Sequence, residues 1–184
     1  RIDMFKNIGM VSFLLLAFNL GGCAGLANMK EVQFQNAPEE NKATVNFVRR
    51  SVFMGDGVKG EVWDSENLVG TLESGRLLQY QAEPGEHTFM MSLQGHWAVA
   101  QGDLEAGKTY YLKMNLTGWG PIIIGAADAN DPRIEEWNEM TTVVKDEATS
   151  KPVPAEYVEE AKRLLKRVEN GDANVTRITD QHAR

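Results

Sequence analysis

One cysteine, three histidines and six prolines are spread over 184 residues, and each scarcity removes a class of explanation. A single cysteine, Cys23, cannot close a disulfide within the chain, so any folded domain must stand on its apolar core alone. The histidines, His87, His96 and His182, lie at intervals that match no metal-site spacing. A zinc site would need three or four converging ligands, with Asp103 or Glu105 completing the set, so no metal is expected. His87 is in phase with Phe89, Met91 and Leu93 and reads as a packed histidine whose ring is satisfied by a backbone carbonyl. Positive charge is also short: Lys and Arg total 19 against 26 Asp and Glu, a net of -7, which disfavours binding to nucleic acid. No apolar run reaches the roughly 20 residues that a spanning helix needs.

Motifs for chemistry are equally sparse. The stretch Gly55-Asp56-Gly57-Val58-Lys59-Gly60 satisfies G-x-G-x-x-G, but a dinucleotide site also needs a helix opening at the last glycine. Glu61-Val62-Trp63-Asp64 reads as strand instead, so no cofactor is expected. Asp128-Ala129-Asn130-Asp131 begins like a calcium loop, yet Pro132 stands at its fifth position, where such loops place a ligand. There is no G-x-S-x-G elbow for acyl transfer. The carboxylate pairs Glu135-Glu136 and Glu159-Glu160 read as solvated helix surface, so no catalytic residue is expected.

What the chain does have begins at its N-terminus. It opens Arg1-Ile2-Asp3, and Met4 reads as the initiator, followed by Lys6 and an apolar stretch from Ile8 to Leu20 that has the pattern of a secretion signal. Leu20-Gly21-Gly22-Cys23 then resembles the lipobox of bacterial lipoproteins. That resemblance implies cleavage between Gly22 and Cys23, a thioether-linked diacylglycerol on the Cys23 sulfur and an acylated N-terminus. Two or three acyl chains make a stable anchor at about 0.8 kcal/mol per buried methylene. Ala24, where an inner-membrane retention signal would place Asp, implies the outer membrane. Residues 1–22 carry Arg1, Asp3 and Lys6, a net of +1, so the cut chain goes from -7 to -8.

Four regions follow from the pattern: a signal peptide over 1–22, a lipidated N-terminus and flexible tether over 23–42, a β-sandwich over 43–148, and a linker with a C-terminal helix over 149–184. The tether is polar and, as a coil, would reach on the order of 25 Å. Apolar and polar residues alternate over 43–50 and 109–117, and in shorter runs at 60–64, 68–72, 76–82, 86–93 and 97–105. Turn residues separate these runs, which suggests a small antiparallel β-sandwich, mainly β in class, with no room for helical crossovers between strands. Asp131-Pro132 looks like a helix start, a short helix fits to about Met140, and Thr141 to Lys145 fits one more strand. The amphipathic helix is expected from Pro154 to Asn170, with Tyr157, Val158, Ala161, Leu164, Leu165 and Val168 as one stripe and Glu159 paired with Arg163. The tail from Asp172 reads as frayed.

The series Val45-Asn46-Phe47-Val48-Arg49, Val69-Gly70-Thr71-Leu72, Glu83-Pro84-Gly85-Glu86-His87-Thr88-Phe89 and Leu104-Glu105-Ala106-Gly107-Lys108-Thr109-Tyr110-Tyr111-Leu112 resembles a family of bacterial lipoproteins that share a domain of unknown function. The likeness covers about residues 43 to 117. Its Pro-Gly-x-His turn and its Ala-Gly-Lys-Thr-Tyr-Tyr strand entry are also similar to units of carboxypeptidase-regulatory-like β-sandwiches. The resemblance implies a fold and a location and carries no reaction with it.

These readings converge on a non-enzymatic envelope lipoprotein, held on a membrane through Cys23, that binds an envelope protein or glycan or supports an assembly. An enzyme acting on envelope glycans or lipids, and a small-ligand carrier, are the alternatives. Two carboxylates with raised pKa in one pocket would mark the enzyme, and an enclosed apolar cavity would mark the carrier. The candidate partner surface is Trp119, Ile122, Ile123 and Ile124, in the apolar run from Trp119 to Ala127. Three successive isoleucines cannot share one sheet face, so this run is either core or exposed patch. Burial against Tyr157 and Leu164 of the helix is the favoured reading, because an amphipathic helix needs an apolar seat.

Overall fold

Residues 25–51, 57–116 and 121–184 are described by the structure, a computed structural model. Gly22, Cys23 and Trp119 lie outside these residues, as do Gly55 and Asp56 of the glycine-rich motif.

Alternating runs become strands at the expected places: β2 is Ala43–Arg49, β3 Gly60–Asp64, β4 Asn67–Leu72, β5 Arg76–Ala82, β6 Gly85–Leu93, β7 His96–Leu104, β8 Thr109–Leu116 and β10 Thr141–Lys145. Three further strands, β1 Met29–Val32, β9 Ile122–Ala126 and β11 Val175–Arg177, arise where no strand was expected. They form two sheets, one ordered β1-β10-β5-β2-β8-β9 and the other β11-β7-β6-β3-β4. Inward residues of both, among them Val45, Phe47, Leu78 and Leu112 of the first and Val62, Leu72, Phe89 and Met91 of the second, make one buried core. Phe47 and Phe89 meet edge-to-face across it, with ring centroids 5.3 Å apart. Arg49 is buried as well and donates from Nη1 to the carbonyls of Val58 and Leu72, tying the end of β2 to the opposite sheet.

The outer faces are covered too. Helix α2, Ala155–Glu169, lays Ala161 and Leu164 against Trp63, Leu68, Met90 and Val99 on the back of the second sheet. Gly171 at φ +77° then ends it in the left-handed conformation that glycine tolerates best. Helix α1, Ile134–Asn138, places Ile134 and Trp137 on Val48, Leu77 and Tyr111 behind the first sheet. This cover explains why β2 is buried along its whole length, on both faces.

Several expectations are corrected. The sandwich is not wholly antiparallel: β2 with β8, β5 with β10 and β7 with β11 run parallel. Parallel neighbours need long connections, and here whole strands of the other sheet or a helix fill them. The tether is not free along its length, because Met29–Val32 pairs with β10 through four registered residues. The tail from Asp172 is not frayed. Val175–Arg177 joins β7, Ile178 is buried, and the side chain of Thr179 caps a 3₁₀ turn, Asp180–His182. Gly102 makes room for this tail, since a Cβ there would sit 2.5 Å from the Ile178 carbonyl oxygen. Glu159 pairs with Lys162 at 3.0 Å, while Arg163 donates to the Glu159 backbone carbonyl instead of its carboxylate.

Candidate functional site

The isoleucine run resolves into a strand, and strand geometry sorts its members. Among the described residues β9 pairs only with β8, setting Ile124 opposite Met114 and Ile122 opposite Leu116, so it is an edge. Alternation sends Ile122 and Ile124 into the inter-sheet core, 5% and 1% exposed, and turns Ile123 outward at 46%. The expectation of burial therefore holds for two of the three. The neighbours differ from those expected, because Ile122 and Ile124 pack between the sheets while Tyr157 is exposed and Leu164 lies behind the second sheet.

Opposite β9 stands β11, the edge of the other sheet, and the hydroxyl of Thr176 donates to the Ile124 carbonyl at 2.6 Å. This bond ties the two edges together and leaves a groove of about 410 Å³ lined by Trp97, Val99, Pro121, Ile123, Asn174 and Val175. Trp97 is steadied by Trp63, with ring centroids 6.3 Å apart. Among the described residues the lining holds no ionisable side chain. Such a groove offers apolar contact, one amide side chain and the backbone of an edge strand, which suits an extended segment better than it suits acid–base chemistry. The sequence signal for β11 is weak, since Val-Thr-Arg shows a single apolar residue. Half the groove was therefore invisible before the fold was known.

A second polar cluster surrounds His87. Its Nε2 lies 2.7 Å from the Glu83 carbonyl, as the packed-histidine reading requires, and its ring stacks on Phe89 with centroids 5.3 Å apart. The unexpected partner is Asp64, whose Oδ2 is 2.8 Å from Nδ1 and also accepts from the Tyr80 hydroxyl at 3.1 Å. With a carbonyl beside one ring nitrogen and a carboxylate oxygen beside the other, the surroundings suit a ring that donates from both nitrogens. The hydrogen bond that His87 donates to Asp64 raises the His87 pKa against the opposing effect of burial. Burial first, and then the Asp64 charge, push the Tyr80 phenol well above its ordinary range. Asp64 and Phe89 are registered partners in β3 and β6, so His87 is a diagonal neighbour that only strand pairing reveals.

This cluster predicts a pH dependence of stability. His87 has a folded pKa above its unfolded value of about 6.5, so the contribution is complete below that value and is lost as pH rises through the folded pKa. Thermal melts should show the stability gap between the natural protein and Asp64→Asn widest near pH 6 and narrowing at higher pH. A gap that widens toward alkaline pH would contradict the assignment.

The other histidines stand apart: His96 is exposed at the start of β7, and His182 accepts from the Thr179 amide at 2.9 Å through Nδ1. Among the described residues no three His, Cys, Asp or Glu side chains are grouped to hold a metal. Asp131 of the calcium-like stretch grips Arg133, which holds its carboxyl down at about 2. A half-buried carboxylate, Glu61, is raised by desolvation and accepts from the Thr71 hydroxyl and the Leu26 amide, and Glu73 is lowered by its hydrogen bond from Lys59. Comparison with protein-family models, with curated proteins and with solved structures found no match to this chain.

Proposed function

We propose that this chain is a lipid-anchored, non-enzymatic protein of a bacterial envelope that receives an extended segment of a partner protein in the groove between β9 and β11. The observation that carries the partner reading is Ile123, a large aliphatic side chain held in water on an edge strand beside Trp97 and Val175. The anchor rests on Leu20-Gly21-Gly22-Cys23, and the membrane in question is the outer membrane by the rule that Ala24 suggests. The enzyme reading lacks support at Glu61, because its carboxylate is taken up by the Leu26 amide and the Thr71 hydroxyl. The carrier reading lacks support between the sheets, where Phe47, Phe89, Leu72 and Leu78 fill the space.

The test uses the full chain in membranes. A photo-crosslinker at Asn174 should yield one discrete adduct that disappears on Ile123→Asp and survives Glu105→Lys, a change at the far turn between β7 and β8. An adduct pattern indifferent to Ile123→Asp overturns the groove. For the anchor, Cys23→Ser should leave the precursor uncut at Gly22 and free of lipid by mass spectrometry. A Cys23→Ser chain processed and lipidated as before overturns that half of the proposal.

A further inference from the structure

Resting on the lipid anchor proposed above, we infer that the flank formed by β1 and β4 lies directly against the lipid headgroups and that the β9/β11 groove points away from the bilayer. The argument is the shortness of the link. Cys23 is two residues before Gly25, and two residues of chain span at most about 7 Å. From Gly25 onward there is no slack. The Leu26 amide donates to Glu61 Oε1 at 3.0 Å, the Ala27 amide donates to the Thr71 hydroxyl at 3.1 Å, and that hydroxyl donates to Glu61 Oε2 at 2.7 Å. The Asn28 amide donates to the Ser150 hydroxyl at 3.1 Å, and its side chain donates to the Thr149 carbonyl at 2.8 Å. β1 then begins at Met29. Gly25 itself lies so close to β4 that a Cβ would fall 2.2 Å from Thr71 Cγ2. A lipid on Cys23 would thus be fastened to the fold itself, in place of the coil that residues 23–42 suggested.

Sheet order supplies the orientation. β1 and β4 are the edges of the two sheets on one flank, and β9 and β11 are the edges on the other. Six strands at about 4.8 Å spacing put the groove roughly 24 Å from the anchored edge. Charge permits the contact. On this acidic protein the flank pairs Lys59 with Glu73 at 2.8 Å, Arg76 with Glu31 at 2.7 Å and Lys30 with Asp146 at 3.7 Å, so anionic headgroups meet a balanced surface.

The experiment exploits the single cysteine. With the Cys23 sulfur in a thioether, Glu147→Cys, beside the anchored flank, and Asn174→Cys, at the groove, each offer the one free thiol for a fluorophore. The full lipidated chain is placed in vesicles of phosphatidylethanolamine and phosphatidylglycerol containing a spin-labelled headgroup lipid. Quenching should be several-fold stronger at position 147 than at 174, and a Gly/Ser spacer inserted after Ala24 should shrink that difference. Equal quenching at the two positions, or stronger quenching at 174, with the lipid on Cys23 confirmed by mass spectrometry, overturns the placement and leaves the anchor standing. A mature chain with no lipid on Cys23 overturns the anchor and the placement together.

Discussion

Ile124→Asp is expected to leave the domain unfolded at room temperature, while the same change one residue earlier, at Ile123, leaves the melting curve nearly where it was. Ile124 is 1% exposed and shares the inter-sheet core with Phe47, Leu112 and Met114, so an aspartate there loses the aliphatic contacts and buries a carboxylate among apolar side chains. Removing a buried isoleucine alone costs about 2–5 kcal/mol, and desolvating an unpaired charge adds several more, which together reach the 5–15 kcal/mol that stabilises a typical domain. Ile123 is 46% exposed on the opposite face of the same strand, where a substitution costs about 0.5 kcal/mol or less. Circular dichroism melts of the two variants check this. A cooperative, unshifted melt for Ile124→Asp would mean that β9 is not part of the core. An unfolded Ile123→Asp would remove the physical basis of the groove.

The second large effect is expected behind the first sheet. Trp137 is fully buried on Tyr111, with ring centroids 6.0 Å apart, and Arg133 and Lys113 lie over its face at 5.2 and 5.8 Å. Five residues of helix are too few to persist alone, so the position of α1 depends on this ring and on Ile134. Trp137→Ala should cost about 3–5 kcal/mol, measured by urea unfolding. Trp137→Phe should cost far less than that, because the buried indole N–H has no hydrogen-bond partner among the described residues and its loss removes a desolvated donor. If phenylalanine proves as costly as alanine, the ring's full size rather than its apolar character holds α1 in place.

These residues show how far the fold could be read in advance. β3 to β8 were legible because each has one face toward a core and turn residues at its ends. The Ile-Ile-Ile run concealed β9, since an outward isoleucine breaks the alternation by which a strand is recognised. β1 and β11 were missed because four and three residues, with apolar side chains only at Met29 and Val32 in the first and at Val175 in the second, are too few to show a period, and their pairing is decided by distant partners. Asn46 and Arg49 read as the wet side and the end of a strand. They are buried because cover arrives from elsewhere: the Gln79 amide, itself bonded to the Gln35 carbonyl, donates to Asn46, and the carbonyls of Val58 and Leu72 accept from Arg49. Of the groove, its isoleucines were visible and Trp97, Val175 and Thr176 were not. Proximity between two sheet edges leaves no local trace.

The parallel pairing of β2 with β8 has a consequence for the order of events in folding. β2 cannot find its second neighbour until five intervening strands have been made, and β7 waits for β11 until α2 has followed. Contacts so distant along the chain carry a large loop-closure entropy and slow the search for the native state. Were the chain exported as proposed, such a delay would keep it threadable while translocation proceeds.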